Sequence, residues 1–517
     1  EVLRVGDSAE GVQENKRGLL VIVVGGLTSA GLALLAAMKV VAGSIERTFR
    51  VGSGGSMISA SLSLALIGVG HLVGMTVGIA MIVGLVISFG VMLPLRTAGQ
   101  IPAGGDLGEI VSGIFSSDVR FVGAGAMAIA AIWTLAKIAL PIVRGVKEAL
   151  AATRARHDGT EVPVSERDLS MRVVAWVTLA SMLPIGLLLW LFVRHTPIAH
   201  HATGMVVVSI LFVLLIGLAV AGVCGYMAGL IGASNSPISG VGILIVITAA
   251  LLIKVVHGAQ SSDQGDALIA YTLFTAAVVF GVATISNDNL QDLKTGQFVI
   301  ATPWKQQVAL IIGVLFGSVV IPPVLQLLNN SFGFAGAPGA TDNALAAPQA
   351  ALLSSLAKGV FGGDLDWGLL GLGVVIGAVV VIIDELLGRA SSNRLRLPPL
   401  AVGMGMYLPM GLTLIIPIGA LAGLVYDRWA ARAADPESTK RLGTLAATGL
   451  IVGESLFGVA LAGIVAATGK DEPLAVVGAG FTTVSEIIGV LLFAGMTLGL
   501  YMWAKRLSGA AMSRTGA

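Results

Sequence analysis

The chain has 517 residues, 56% of them apolar and 12% charged, with a mean hydropathy of +0.92, whereas a soluble domain carries about 25% charge. This composition excludes a soluble globular enzyme and calls for an all-α, polytopic membrane protein whose spans of about 20 residues sit in a lipid bilayer. A single cysteine, Cys224, excludes an intramolecular disulfide and a cysteine-based metal cage, and the net charge of +2 gives no basis for a nucleic-acid partner.

Runs between charges place about twelve spans near 19–42, 62–93, 117–143, 172–193, 204–226, 241–257, 266–286, 306–328, 366–388, 398–426, 442–468 and 474–503. Val51–Leu95 has only His71 as an ionisable residue and is too long for one tilted helix; its polar start, Gly52 to Ser63, reads as a re-entrant half-helix before a full span. His71 titrates near neutral pH in water, so it is a candidate proton-coupling residue; the alternative is a hydrogen-bonded packing histidine.

The loop 144–172 holds six Lys and Arg residues and is expected on the cytoplasmic side, as are the clusters Arg389–Arg396 and Lys505–Arg514. Between Arg194 and Lys254 there is no formal charge, yet the middle reads Ile231-Gly-Ala-Ser-Asn-Ser-Pro-Ile-Ser-Gly-Val-Gly242. Unpaired backbone groups in hydrocarbon cost several kcal/mol each, so a polar, proline-broken segment survives there only beside protein or a wet cavity. Ser234, Asn235, Ser236, Pro237 and Ser239 are therefore candidate substrate contacts, against the plainer reading of a proline kink.

Ser286–Gly296 is dense in hydrogen-bonding side chains and lies between two spans; Asn287, Asp288 and Asn289 either line a pathway or belong to an ordered connector. Prolines 398, 399, 409 and 417 predict a discontinuous helix over 398–426, with Tyr407 beside the break as a flat substrate contact. Asp384 and Glu385, before the Arg389 cluster, read as a surface ion pair. Glu454 lies deep in a span, where a carboxylate is costly and marks a function by default; it is the leading candidate for proton coupling, the alternative being an interhelical hydrogen bond. Glu486, nearer a span end, is a weaker candidate for the same role.

A weak repeat links Gly68–Met75 with Gly403–Met410 at an offset of 403 − 68 = 335. On this basis residues 1–143 are the later part of a first repeat, 144–172 the basic loop, and 173–517 the remaining membrane domain with the second repeat. The chain is then expected to be an N-terminally truncated piece of a longer carrier. A Walker motif, a His-Glu-x-x-His motif and clustered intramembrane aspartates are all missing, so neither an enzyme, a bound metal nor a cofactor is expected.

Several strings together resemble the oligopeptide transporter (OPT) family, on the bacterial side that also includes yellow-stripe-like metal-chelate carriers. They are Gly232–Gly242, Ser286–Gln297 with Ala301–Gln307, Ala347–Gln349, Phe361–Trp367, Arg396–Gly403 and Gly449–Ser455. The resemblance implies a carrier of about 16 helices, proton-coupled, importing small peptides or metal-chelate complexes. Its expected setting is the bacterial inner membrane, as a multi-pass protein that admits a homo-oligomer. The motifs Asn-Pro-Gly and Lys-Ile-Pro-Pro-Arg of the fungal and plant peptide branch are missing. The competing reading is a passive channel that uses the same broken helices as a filter.

Overall fold

The computed structural model describes residues 9–102, 105–134, 136–137, 164, 167–231, 238–258, 264–334, 344–345, 347–362, 366–470 and 472–515. It is 81% helical. In chain order the elements are α1 (Ala9–Ala37), β1 (Ser44–Val51), β2 (Gly54–Ser61), α2 (Leu64–Val73), α3 (Met75–Leu85), α4 (Leu107–Ile114), α5 (Met171–Val193), α6 (Ala202–Ile231) and α7 (Ile238–His257). There follow α8 (Gly265–Phe298), α9 (Pro303–Ser331), α10 (Pro348–Gly362), α11 (Trp367–Ala390), α12 (Pro399–Tyr407), α13 (Met410–Thr413), α14 (Ile415–Ala430), α15 (Pro436–Thr468) and α16 (Thr482–Thr515). Among the described residues, 11 helical stretches are long and apolar enough to cross a membrane, and Leu64–Val73 and Val241–His257 are shorter apolar helices. The chain is thus an all-α polytopic membrane protein.

It divides into two compact units. The first takes Glu1–Gly123, Pro322–Ala346 and Val375–Ala517; the second takes Ala124–Ile321 and Ala347–Val374.

In the first unit the segment 52–63 is not a re-entrant half-helix. It is the return strand of an antiparallel hairpin, paired from Ser44↔Ser61 to Val51↔Gly54. The physical reason is visible in the residues: Ser59, Ser61 and Ser63 recur at the strand period of two, and Gly52 to Ser56 are poor helix formers. Gly52, at φ +60°, supplies the left-handed turn residue that tight hairpins require. Strand β2 is held from behind: the Ser56 hydroxyl donates to the Phe89 carbonyl at 2.6 Å, and the Gly55 N–H donates to the Thr97 hydroxyl at 2.8 Å.

The half-helix is instead α2, which ends at Gly74 (φ +85°) before α3 begins. The 398–426 region is discontinuous as the prolines predict, with α12 ending at Tyr407 and α13 starting after Pro409. These two broken helices lie against each other in an antiparallel, reciprocal fashion. A Cβ at Gly70 would collide with the Ile416 carbonyl oxygen, and one at Gly405 with that of Met81; one at Gly419 would meet the Ile67 carbonyl, and one at Gly84 that of Val402. Adding 335 to 67, 70 and 81 gives 402, 405 and 416, and 84 + 335 = 419, so the four approaches exchange in pairs. The breaks correspond as well, since 74 + 335 = 409. Small residues that let backbones touch are the usual cement between helices in lipid. The same device joins α1 to α15, where Gly449 and Gly453 pack on the carbonyls of Ile22 and Gly26.

Asp384 is not a surface residue. It is 3% exposed, accepts from Arg396 Nη2 at 2.7 Å and from the Leu397 N–H at 2.8 Å, and so fixes the end of α11 to the approach of α12.

In the second unit, helices α5 to α8 and α10 surround a core that includes Leu189, Met205, Ile253, Tyr271 and Phe361. The stretch 286–297 is not a connector: α8 runs on through it to Phe298. No proline interrupts it, and Leu290 and Leu293 continue the apolar spacing of the helix, so the dense amides ride on a continuous backbone.

Candidate functional site

The best-defined polar site belongs to α2. At its start Ser63 is the N-cap, its hydroxyl accepting from the Leu66 N–H at 3.3 Å and donating to Glu454 Oε1 at 2.6 Å. Glu454 Oε2 accepts from the Ala65 N–H at 3.0 Å and from the Ser29 hydroxyl at 3.2 Å. The half-buried carboxylate thus meets the N-terminus of a helix with three donors in place. The sequence builds this because Gly26 and Gly453 bring α1 and α15 into backbone contact next to Ser29 and Glu454.

The other end of α2 carries His71 in its last turn. Its Nδ1 is 2.7 Å from the Tyr501 hydroxyl, and its Nε2 is 3.7 Å from Asp427 Oδ1. The His71 side chain is 3% exposed and that of Asp427 45%, so the imidazole lies between the interior and an exposed carboxylate. Room for the ring is made by Gly423, where a Cβ would stand 2.7 Å from His71 Cδ2. Tyr426 closes the cluster, donating to the Thr439 carbonyl at 2.9 Å.

A cavity of about 370 Å³ lies between the hairpin and the break at Pro409. The hairpin contributes Glu46, Ser59 and Ser61 to its lining, and Arg120 lines it too. Arg120 Nη2 donates to the Tyr407 hydroxyl at 2.7 Å, and the guanidinium stands 4.8 Å from the centre of that ring. Tyr407 itself is fully buried, so it orients Arg120 rather than presenting a face to the cavity. Glu486 is engaged by Arg47 of β1, whose Nη1 is 3.2 Å from Oε1 and whose Nη2 holds Oε2. The hydrogen bond and charge of Glu486 raise the Arg47 pKa further above its ordinary value.

The remaining expected residues belong to the second unit. Ser234, Asn235, Ser236 and Pro237 lie outside the described residues, and Ser239 is in the first turn of α7. In α8, Asn287 is 4% exposed and its Oδ1 has no hydrogen-bond partner among the described residues, whereas Asp288 is exposed and Asn289 half-buried. Sequence reasoning passed over Arg120, Asp427, Ser29 and Ser63. Arg120 carried a signal, being a cation within the apolar helical stretch Leu107–Thr134. Ser29 and Asp427 carried none, because their roles depend on partners more than 350 positions away.

A family model described as OPT oligopeptide transporter protein matches residues 1–465. A Haemophilus influenzae protein named as an oligopeptide transporter is 37% identical over 98% of this chain and 82% of its own length. A protein of Oryza sativa subsp. japonica named as the metal-nicotianamine transporter YSL10 is 30% identical over 38% of this chain and 28% of its own. An Arabidopsis thaliana protein named as the metal-nicotianamine transporter YSL5 is 27% identical over 42% of this chain and 30% of its own. With its spans, broken helices and intramembrane carboxylate, the chain belongs to the OPT oligopeptide transporter family and is a multi-pass membrane transporter, not an enzyme.

Proposed function

We propose that the chain is a proton-coupled symporter importing small peptides or metal-chelate complexes across a bacterial inner membrane, with the basic loops facing the cytoplasm. The observation that carries this reading is Glu454 at the N-terminus of α2, a titratable carboxylate bound to a short helix rather than to a fixed cation. Protonation removes its attraction to the helix end and makes one oxygen a donor where two neighbours already donate. The half-helix then has reason to shift, and Gly74 is the hinge that lets it. His71, at the other end of the same half-helix, gives protons a route to Asp427.

The relatives' names cover peptides and metal chelates, which share carboxylates and amines on one small molecule. A cavity lined by both Arg120 and Glu46 fits such a zwitterion, and about 370 Å³ holds a small one. Uptake into proteoliposomes under an inward proton gradient tests the reading. Accumulation should need the gradient in the wild type and be lost in Glu454→Gln, while exchange across equal pH persists. Gradient-independent flux with a channel-like conductance in the wild type would contradict it.

A further inference from the structure

Four of the six histidines stand at one end of the second unit: His195, His200 and His201 between α5 and α6, and His257 as the last residue of α7. This is the end away from the basic loop, whose Arg167 carbonyl meets the Trp304 N–H at the other end of the same helices. Neither the coupling at Glu454 nor the cavity at Arg120 uses these residues.

The pair His201 and His257 is built in a particular way. Their rings stand edge to face with centroids 4.9 Å apart. His257 is 6% exposed, and its Nδ1 has no hydrogen-bond partner among the described residues. Its Nε2 lies 3.2 Å from Gln264 Oε1. The orientation of that amide is set by its own nitrogen, which donates to the Pro197 carbonyl at 3.5 Å, so Oε1 is the atom left to accept from the ring. With the amide in this orientation the His257 proton sits on Nε2, and the lone pair of the buried Nδ1 has no hydrogen-bond partner among the described residues. A buried nitrogen left without a partner is costly. A histidine whose far N–H is held by an acceptor while its near nitrogen is bare is the usual arrangement of a metal ligand and its supporting group. Two imidazoles on one ion, at metal–nitrogen distances of about 2.1 Å, place their ring centres about 4.5–5.3 Å apart. The observed separation falls within that range.

We propose that His257 Nδ1 and His201 bind a divalent transition-metal ion of the imidazole-preferring group, such as Zn²⁺, Ni²⁺ or Co²⁺. Among the described residues no three His, Cys, Asp or Glu side chains group around an ion. The site is accordingly an open, two-histidine one, whose other positions are taken by water or by donor atoms of a chelating molecule. His195 is engaged elsewhere, its Nε2 accepting from Arg194 Nε at 2.8 Å, and it is not part of the ring pair. The inference does not depend on the proton-coupling reading.

The test uses the full chain, purified without a polyhistidine tag, titrated with Zn²⁺ by calorimetry and with Co²⁺ by its visible absorption. One equivalent is expected, with the apparent Kd raised at least tenfold in His257→Ala and in His201→Ala and moved less than twofold in His195→Ala. His201 is exposed, so the metal-free melting point of His201→Ala should equal that of the wild type, which separates lost ligation from lost folding. Gln264→Ala should weaken binding about tenfold or more and Gln264→Glu should restore it. Absence of a saturable equivalent in the wild type, unchanged affinity in His257→Ala and His201→Ala, or an equal loss in His195→Ala would each overturn the assignment.

Discussion

Glu454 is held by three donors, and each contributes differently. Ser63 both caps α2 and donates to the carboxylate, so Ser63→Ala should lower stability by about 1 kcal/mol and also alter coupling. The measurement is thermal unfolding in detergent beside gradient-driven uptake. Ser29→Ala removes one of the three donors without touching the cap and should alter coupling with a smaller stability loss. In the cavity beside the hairpin, Arg120→Lys keeps the charge but loses the guanidinium's contact with the Tyr407 ring and its hydrogen bond to the Tyr407 hydroxyl. It should raise the half-saturation concentration for substrate several-fold while leaving the proton dependence of uptake in place; an unchanged value would remove Arg120 from the cavity's chemistry. Glu454 was legible in the sequence as a carboxylate in a span. Its partners were not, because a helix N-terminus offers no residue type to recognise.

At the scale of elements, the offset of 335 was legible from matched glycines, and the structure shows what those glycines do, since each lets one backbone reach the carbonyl of the partner half-helix. Gly70→Val and Gly405→Val should each destabilise by about 1–3 kcal/mol or more, because backbone offers no flexible end to move aside. Gly458, with nothing within 4 Å of its would-be Cβ, should accept Ala within about 0.5 kcal/mol. Paired melting curves of the wild type and the three variants check this, and equal loss at all three sites would argue against the reciprocal packing. The hairpin was misread because a 45-residue run with one ionisable group looks like membrane helix, although the serine period of two and Ile45, Thr48, Phe49 and Val51 in β1 favour strand. The polar run after Ser286 was misread for the opposite reason: its composition resembles a loop, while the spacing of Leu290 and Leu293 keeps the helix going to Gly296 and Phe298.

Over the whole molecule, charge-free runs located the spans closely, since hydrocarbon leaves few alternatives to helix. The expected span at 62–93 became two pieces, and 266–286 became a longer helix. What composition could not supply was which intramembrane groups meet, because contacts such as Ser63 with Glu454 join positions 391 apart. The proposed proton coupling rests on a half-helix that meets Glu454 at its start and carries His71 in its last turn. Its most direct test records both fluxes at once, internal pH by a trapped dye and labelled substrate by filtration, in proteoliposomes of wild type and Glu454→Gln. Substrate entry should acidify the wild-type lumen, and Glu454→Gln should still exchange substrate with no accompanying acidification. Equal acidification in both proteins, or wild-type substrate entry with no proton movement, would contradict it.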